Sequence, residues 1–221
     1  MRIALIHAVS VAMQPVADAF ARDWPAAELV NLLDDSLSRD RARDPELTDA
    51  VRGRIHALAD YAYGAGAEAI LFTCSAFGPG IEDVARRLPI PVLKPNEAMF
   101  AESLRLGRRL GMLATFGPSV ATMEEEFREQ ARQERTDATL ATVVVPGAMD
   151  ALRAGDEAGH NALVAERAHE LRHCDAVMLA HFSTSRAFAA VAAKVSCPVL
   201  TSPGAAVAML KRRLQVLATH G

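Results

Sequence analysis

The chain has 221 residues, enough for one large domain or two small ones, each able to bury a core. It is 51% hydrophobic, 5% aromatic and 23% charged, the balance of a folded α/β protein rather than a disordered one. A net charge of −3 with both signs interspersed gives no basic face for nucleic acid or an anionic membrane, and no apolar run reaches the ~18 residues of a membrane span.

In chain order, the opening "MRIALIHAVSVAM" lacks a basic leader and an A-x-A cleavage site, and His7 interrupts its apolar run, so it reads as a buried strand near 2–8 and not a signal peptide. A helix over 12–22, a strand over 28–33 and a helix over 45–63 follow. Next come a strand over 67–73, a helix over 78–88 and a short strand over 91–94. The remainder repeats the plan: strand 109–115, helix 119–134, strand 139–145, helix 157–172, strand 175–180, helix 183–194, strand 198–201 and a last helix over 204–217. Alternating β and α with short connections predicts parallel sheets covered by helices, their strands apolar throughout.

The plan is written twice. With Cys74 laid on His181, an offset of 181 − 74 = 107, "RIALIH" (Arg2–His7) falls on "RLGMLA", "EAILFTC" (Glu68–Cys74) on "DAVMLAH", and "PVL" at 91–93 on "PVL" at 198–200. Three strands sharing one offset point to a duplication, although the middle of each half slips out of register. The expected architecture is α/β with two pseudo-symmetric lobes, each a parallel sheet flanked by helices, and an active-site cleft between them. The lobes span 1–95 and 96–201, with 202–221 packing back on the first.

Ligands of parallel α/β sheets bind beyond the carboxyl ends of the strands. Here those ends carry His7, Ser10, Cys74 with Ser75, Thr115 with Ser119, and His181 with Ser183. Their hydroxyls, with free N–H groups at helix starts, suit a carboxylate or other anion; the plain alternative is that Ser10, Ser119 and Ser183 are helix N-caps worth roughly 1 kcal/mol each. His7 either contacts a substrate amine or carboxylate or is a hydrogen-bonded strand-end histidine. Lys94 and Arg186 are the two cations that could meet a second carboxylate; otherwise Lys94 caps its strand and Arg186 is a solvated helix residue.

Two motifs mislead. "HELRH" (169–173) matches the zinc-protease pattern H-E-x-x-H, but helical periodicity puts its histidines on the face opposite Val164, Ala168 and Leu171, so no metal site is expected. "GAGAEA" (64–69) fits a dinucleotide fingerprint but ends a helix and opens a strand, the reverse of what a pyrophosphate needs. Three widely spaced cysteines imply no disulfide framework, and hence reduced thiols and a cytoplasmic protein. Cys174 and Cys197 read as small buried hydrophobes. Cys74 differs by ending its strand beside Thr73 and Ser75, where a helix start or a protonated imidazole would lower its pKa.

The duplicated lobes, "FTCSAFG" after the third strand, "PNEA" at Pro95–Ala98 and "VLTSPGAA" near the end resemble the aspartate/glutamate racemase superfamily, which includes glutamate, aspartate and hydantoin racemases, maleate isomerase and arylmalonate decarboxylase. The resemblance covers nearly the whole chain. It implies a cofactor-independent enzyme acting on a small amino-acid-like or carboxylic substrate, with two cysteines, one per lobe, moving a proton off one face of a carbon and onto the other. Homodimers are common in that superfamily. Cys74 matches the first cysteine; His181 stands at the second cysteine's position, a departure. Imidazole can serve as either acid or base, so racemisation by Cys74 and His181 is the leading expectation, with a thiolate–imidazolium pair as one starting state. Ser75, Thr115 and Ser119, with Ser10 and Ser183 behind them, would stabilise the carbanion. The alternatives are a decarboxylase or cis–trans isomerase using Cys74 as proton donor or nucleophile, and a non-catalytic binder of an acidic metabolite.

Overall fold

The computed structural model describes residues 1–44 and 46–220. It contains eight strands in chain order: β1 (Arg2–His7), β2 (Glu28–Leu33), β3 (Ala69–Phe72), β4 (Val92–Leu93), β5 (Arg109–Ala114), β6 (Thr139–Val144), β7 (Ala176–Leu179) and β8 (Val199–Thr201). The helices are α1 (Met13–Asp23), α2 (Leu37–Arg41), α3 (Asp49–Gly64), α4 (Gly78–Arg87), α5 (Glu97–Leu106), α6 (Val120–Gln133), α7 (Ala148–Arg153), α8 (Glu157–Arg167), α9 (Phe188–Ala192) and α10 (Ser202–His220).

The strands form two four-stranded parallel sheets, ordered β2-β1-β3-β4 and β6-β5-β7-β8. One compact unit is Met1–Pro95 with the chain from Ala206 on; the other is Asn96–Ala205. Within each, an apolar cluster lies under the sheet: Ile6, Ile70, Phe72, Ile55 and Ile81 in the first, Leu113, Val177, Leu179, Val164 and Leu171 in the second.

The common offset survives in the hydrogen-bond frame. Ile3 pairs with Ala69 and Ile70 with Val92; at the matching places of the second half, Leu110 pairs with Ala176 and Val177 with Val199. The Thr73 amide donates to the Ile6 carbonyl at 3.1 Å and the Ala180 amide to Leu113 at 3.0 Å. The slip has a definite place: Arg2 pairs with Glu28 but Arg109 with Thr139, so the offset from β2 to β6 is 139 − 28 = 111, and the surplus is lost again before β7.

Acidic side chains set the register. The Arg2 amide donates to Glu68 at 2.8 Å; in the second half the Arg108 and Arg109 amides both donate to Asp175 Oδ2 at 2.9 Å, and the Arg109 guanidinium meets Oδ1. These donors pull the Asp175 carboxyl down to about 2.

Several expectations shift. β1, β3, β5 and β7 are apolar and buried, but β2 and β6, each at one edge of its sheet, are half-exposed and carry polar residues such as Glu28, Asn31, Thr139 and Thr142. The helix expected from 45 starts at Asp49 with Thr48 as its cap, the Thr48 hydroxyl accepting from the Val51 amide; position 45 lies outside the described residues. The expected helix over 157–172 is α-helical only to Arg167 and continues as a 3-10 turn, and the one over 183–194 begins with a 3-10 turn over Ser183–Ala187. α2, α5 and α7 have no counterpart among the expected elements; α5 buries Met99 and Phe100, whose ring meets Phe127 edge-on at 5.6 Å.

Gly107 explains itself by contact, since a Cβ there would lie 2.3 Å from the Asp175 Cβ. Gly107→Ala is expected to dislodge Asp175 from the β5 amides and lower unfolding free energy by about 1–3 kcal/mol, measured as a reduced urea midpoint.

Candidate active site

In each half the chain leaves two central strands at their carboxyl ends and enters a 3-10 turn. β1 leads to Ser10–Ala12 and β3 to Ser75–Phe77; β5 leads to Gly117–Ser119 and β7 to Ser183–Ala187. The candidate residues collect at these turns.

In the first half, Cys74 is half-buried with an extended backbone just before the Ser75 turn. Burial pushes its thiol up, against the opposing pull of the Ala76 amide and the Ser38 hydroxyl. A lowered thiol pKa, expected from the nearby helix start, is therefore not what the surroundings produce: desolvation outweighs two hydrogen bonds. Ser38, on α2, donates to the Ala8 carbonyl at 3.0 Å while facing the Cys74 sulfur. Its loop is pinned by Arg54, which pairs with Asp34 and Asp40. Arg41 holds the Ala76 carbonyl at 3.1 Å. Nothing in the local sequence marks Ser38, which lies in a charged run with no strand end or motif beside it.

His7 is fully buried, with Nδ1 2.9 Å from the Thr73 hydroxyl and Nε2 3.0 Å from Asn31 Oδ1. Burial lowers its pKa. Both ring nitrogens are engaged in tying β1 to β2 and to the end of β3, the role of a hydrogen-bonded strand-end histidine. Ser75 is buried and Ser10 exposed, and neither makes a side-chain hydrogen bond among the described residues.

In the second half, His181 is half-buried and its backbone is left-handed, with φ +70°. For a residue with a Cβ this conformation costs on the order of 1–2 kcal/mol, and such strain concentrates at functional positions. Its mate Cys74 has φ −127°, so the two positions differ in backbone as well as side chain. Burial pushes the imidazole down to about 4, the Ala180 backbone opposing. Nε2 lies 2.8 Å from the Ser119 hydroxyl, Nδ1 is buried without a hydrogen-bond partner, and the Phe116 ring stands edge-to-face at 6.5 Å. Both pKa directions favour a neutral thiol at Cys74 and a neutral imidazole at His181 over the expected thiolate–imidazolium state.

None of the three serines is a side-chain cap. The N-cap position of the first turn is Val9, and that of the Ser183 turn is Phe182; Ser119 itself caps α6 only by position. The Ser119 hydroxyl instead donates to the Phe116 carbonyl at 2.9 Å. Thr115 is buried with its hydroxyl 3.0 Å from that of Thr184, and Ser183 is buried with no side-chain hydrogen bond among the described residues. Thr184 is legible in the sequence only as part of "HFSTS".

The two cations are occupied: Lys94 pairs with Glu82, and Arg186, largely buried rather than solvated, pairs with Glu157, both at 2.6 Å. No cluster of three or more His, Cys, Asp or Glu among the described residues is placed to hold a metal. In "HELRH", His169 and His173 are exposed and Glu170 is paired with Arg167. Gly64 ends α3, and Gly66, at φ +84°, turns the chain into β3. Among the described residues no helix is long and apolar enough to cross a membrane.

A family model described as Asp/Glu/Hydantoin racemase matches residues 8–173, a span that includes Cys74 and stops short of His181. No curated protein matches the chain. Among solved structures, a glutamate racemase isoform from Bacillus anthracis superposes with a TM-score of 0.77 at 14% identity, covering 96% of this chain and 81% of that one. An allantoin racemase from Pseudomonas fluorescens gives 0.72 at 15% identity, with 98% and 92% covered. A double mutant of arylmalonate decarboxylase in a liganded form gives 0.68 at 20% identity, with 96% and 91% covered.

The strain at His181 makes a stability prediction. Replacing it by glycine removes a hydrogen bond worth about 1 kcal/mol but relieves the left-handed backbone by a similar amount. His181→Gly is expected to unfold within about 1 kcal/mol of the parent chain, read from denaturant curves, and a loss above ~3 kcal/mol would make the residue a structural one.

Proposed function

Because the chain belongs to the Asp/Glu/hydantoin racemase family, we propose that it is a cofactor-independent racemase or epimerase of a small amino-acid-like or carboxylic substrate, with Cys74 and His181 as its two proton-transfer groups. One observation carries the reading. The two residues occupy equivalent positions of a duplicated frame, and their environments favour complementary proton states, a protonated thiol and an unprotonated imidazole.

Neutral His181 takes the α-proton and becomes imidazolium. The electron pair passes into the adjacent carbonyl as an enolate. The Cys74 S–H then delivers its proton to the opposite face, leaving a thiolate and an inverted centre. Solvent returns a proton to sulfur and removes one from the ring before the next turnover in the same direction. The reverse direction starts from the thiolate–imidazolium form, a minority state in these environments. Ser10, Ser75 and Ser183 are the hydroxyls free to meet the enolate or a carboxylate. His7, Thr115 and Ser119, whose polar atoms are engaged inside each half, act from behind them. With Lys94 and Arg186 already paired, a second substrate carboxylate has no cation reserved for it at either residue. A cytoplasmic location and a homodimer accompany this reading.

A second reading follows from the raised Cys74 thiol: a group that keeps its proton suits a one-face donor, as a decarboxylase needs, better than a nucleophile.

The test is proton NMR in D₂O with D- and L-amino acids, hydantoins and substituted malonates. Loss of the α-proton signal with inversion is expected, reduced about 10²–10⁴-fold in Cys74→Ala and in His181→Gln. The kcat/KM profile should fall on the acid side near 4, as His181 gains a proton, and on the alkaline side above the ordinary thiol value of 9, as Cys74 loses one. Exchange with retention or loss of carbon dioxide would favour the one-face reading, and silence across the panel a metabolite-binding protein.

A further inference from the structure

We infer that Ser119 is a positioning residue that holds His181 as its Nε2–H tautomer and leaves Nδ1 as the basic atom; the assignment of Nδ1 as the proton-transfer atom rests on the reading above.

Counting protons leads there. The Ser119 oxygen lies 2.9 Å from the Phe116 carbonyl and 2.8 Å from His181 Nε2. A carbonyl only accepts, and a hydroxyl has one proton to give. With that proton on the Phe116 carbonyl, the serine presents a lone pair to Nε2, which must itself donate. A neutral imidazole has one N–H, so Nδ1 carries the lone pair. Nδ1 is also the ring atom left buried without a hydrogen-bond partner. The opposite tautomer would set a hydroxyl lone pair against the carbonyl oxygen at 2.9 Å.

The duplication supplies an independent observation. The turns over Ser10–Ala12 and Gly117–Ser119 are mates, and their backbones match: the Ala12 amide donates to the Val9 carbonyl at 3.4 Å and the Ser119 amide to Phe116 at 3.3 Å. Ser119 therefore corresponds to Ala12, since 119 − 107 = 12, and not to Ser10. The half that carries a thiol has a buried alanine at this place, and the half that carries an imidazole has the hydroxyl that binds it. A serine serving substrate alone would have no reason to track the histidine. The left-handed backbone of His181 and the edge of the Phe116 ring complete the constraint, fixing where the imidazole plane lies. When the ring is protonated, Nε2–H stays on Ser119, whose own proton is committed; the abstracted proton is held on Nδ1 and is not relayed onward through the serine.

The test is ¹⁵N-resolved NMR of the His181 ring in the full-length protein at pH 7, without ligand, for the parent chain, Ser119→Ala and Ser119→Thr. Expected are an Nε2–H ring with a bare Nδ1 in the parent, loss of the Nε2 hydrogen-bond signature in Ser119→Ala, and its recovery in Ser119→Thr. An Nδ1–H ring in the parent chain, or a ring signature unchanged in Ser119→Ala, overturns the proposal. On whichever substrate of the NMR panel exchanges, Ser119→Ala should lower kcat about 10- to 100-fold with KM little changed, as supporting partners of reactive histidines do; a rise in KM at unchanged kcat would make Ser119 a substrate-binding residue instead. The ring spectrum needs no substrate, so failure of the positioning role and failure of the proton-transfer reading are separately visible.

Discussion

The register lock at the foot of each sheet governs where the reactive groups emerge. In the second half one carboxylate, Asp175, takes two main-chain amides of the neighbouring strand and a guanidinium, and Gly107 is bare so that it can. A parallel strand shifted by a single position would turn every side chain to the other face. The lock therefore decides that Val177 and Leu179 face the apolar cluster and that the chain reaches His181 just beyond the sheet. Glu68 does the same service for β3 and Cys74 with a single amide. A residue at one end of a short strand so determines the placement of a residue at the other end.

What the sequence made legible follows this logic. The strands were readable because a buried parallel strand is a short apolar run, and their equivalence because one offset held across three of them. Cys74 and His181 stood out as two reactive but different side chains at matched strand ends. Illegible were features that depend on three-dimensional neighbours. Ser38 approaches the Cys74 sulfur from a short helix in a charged segment. Thr184 meets Thr115 from far along the chain, beyond the reach of any local pattern. The pKa directions differ from expectation because a helix start and a partner imidazole are visible in a sequence, whereas desolvation is not. The serines differ for a related reason: a hydroxyl before a helix suggests a cap, but a 3-10 turn has its own backbone bonds, and the Ser119 side chain finds a carbonyl and an imidazole instead.

Burial and hydrogen bonding pull against each other at Cys74 and at His181, and burial wins at both. For an ordinary nucleophilic cysteine this would be a defect, since a thiol is inert. For the proposed proton transfer it is an asset, because a donor must hold its proton and an acceptor must lack one. Stabilising charge on either group in the resting state would lower the driving force for the step proposed for it. The network of Arg54, Asp34 and Asp40 stands one layer back, fixing the loop of Ser38 through ion pairs of its own.

The two matched strand ends, at Cys74 and His181, differ in geometry as well as in side chain. The imidazole is larger than a thiol and directional, with two nitrogens of which only one can be basic at a time. Fitting it at the end of β7 went with a backbone turned from extended to left-handed and a hydroxyl where the other copy has a methyl. The left-handed backbone is unfavourable by itself, and the unpartnered Nδ1 is unfavourable again. The fold tolerates both at a single residue, and strain of this kind concentrates at functional positions.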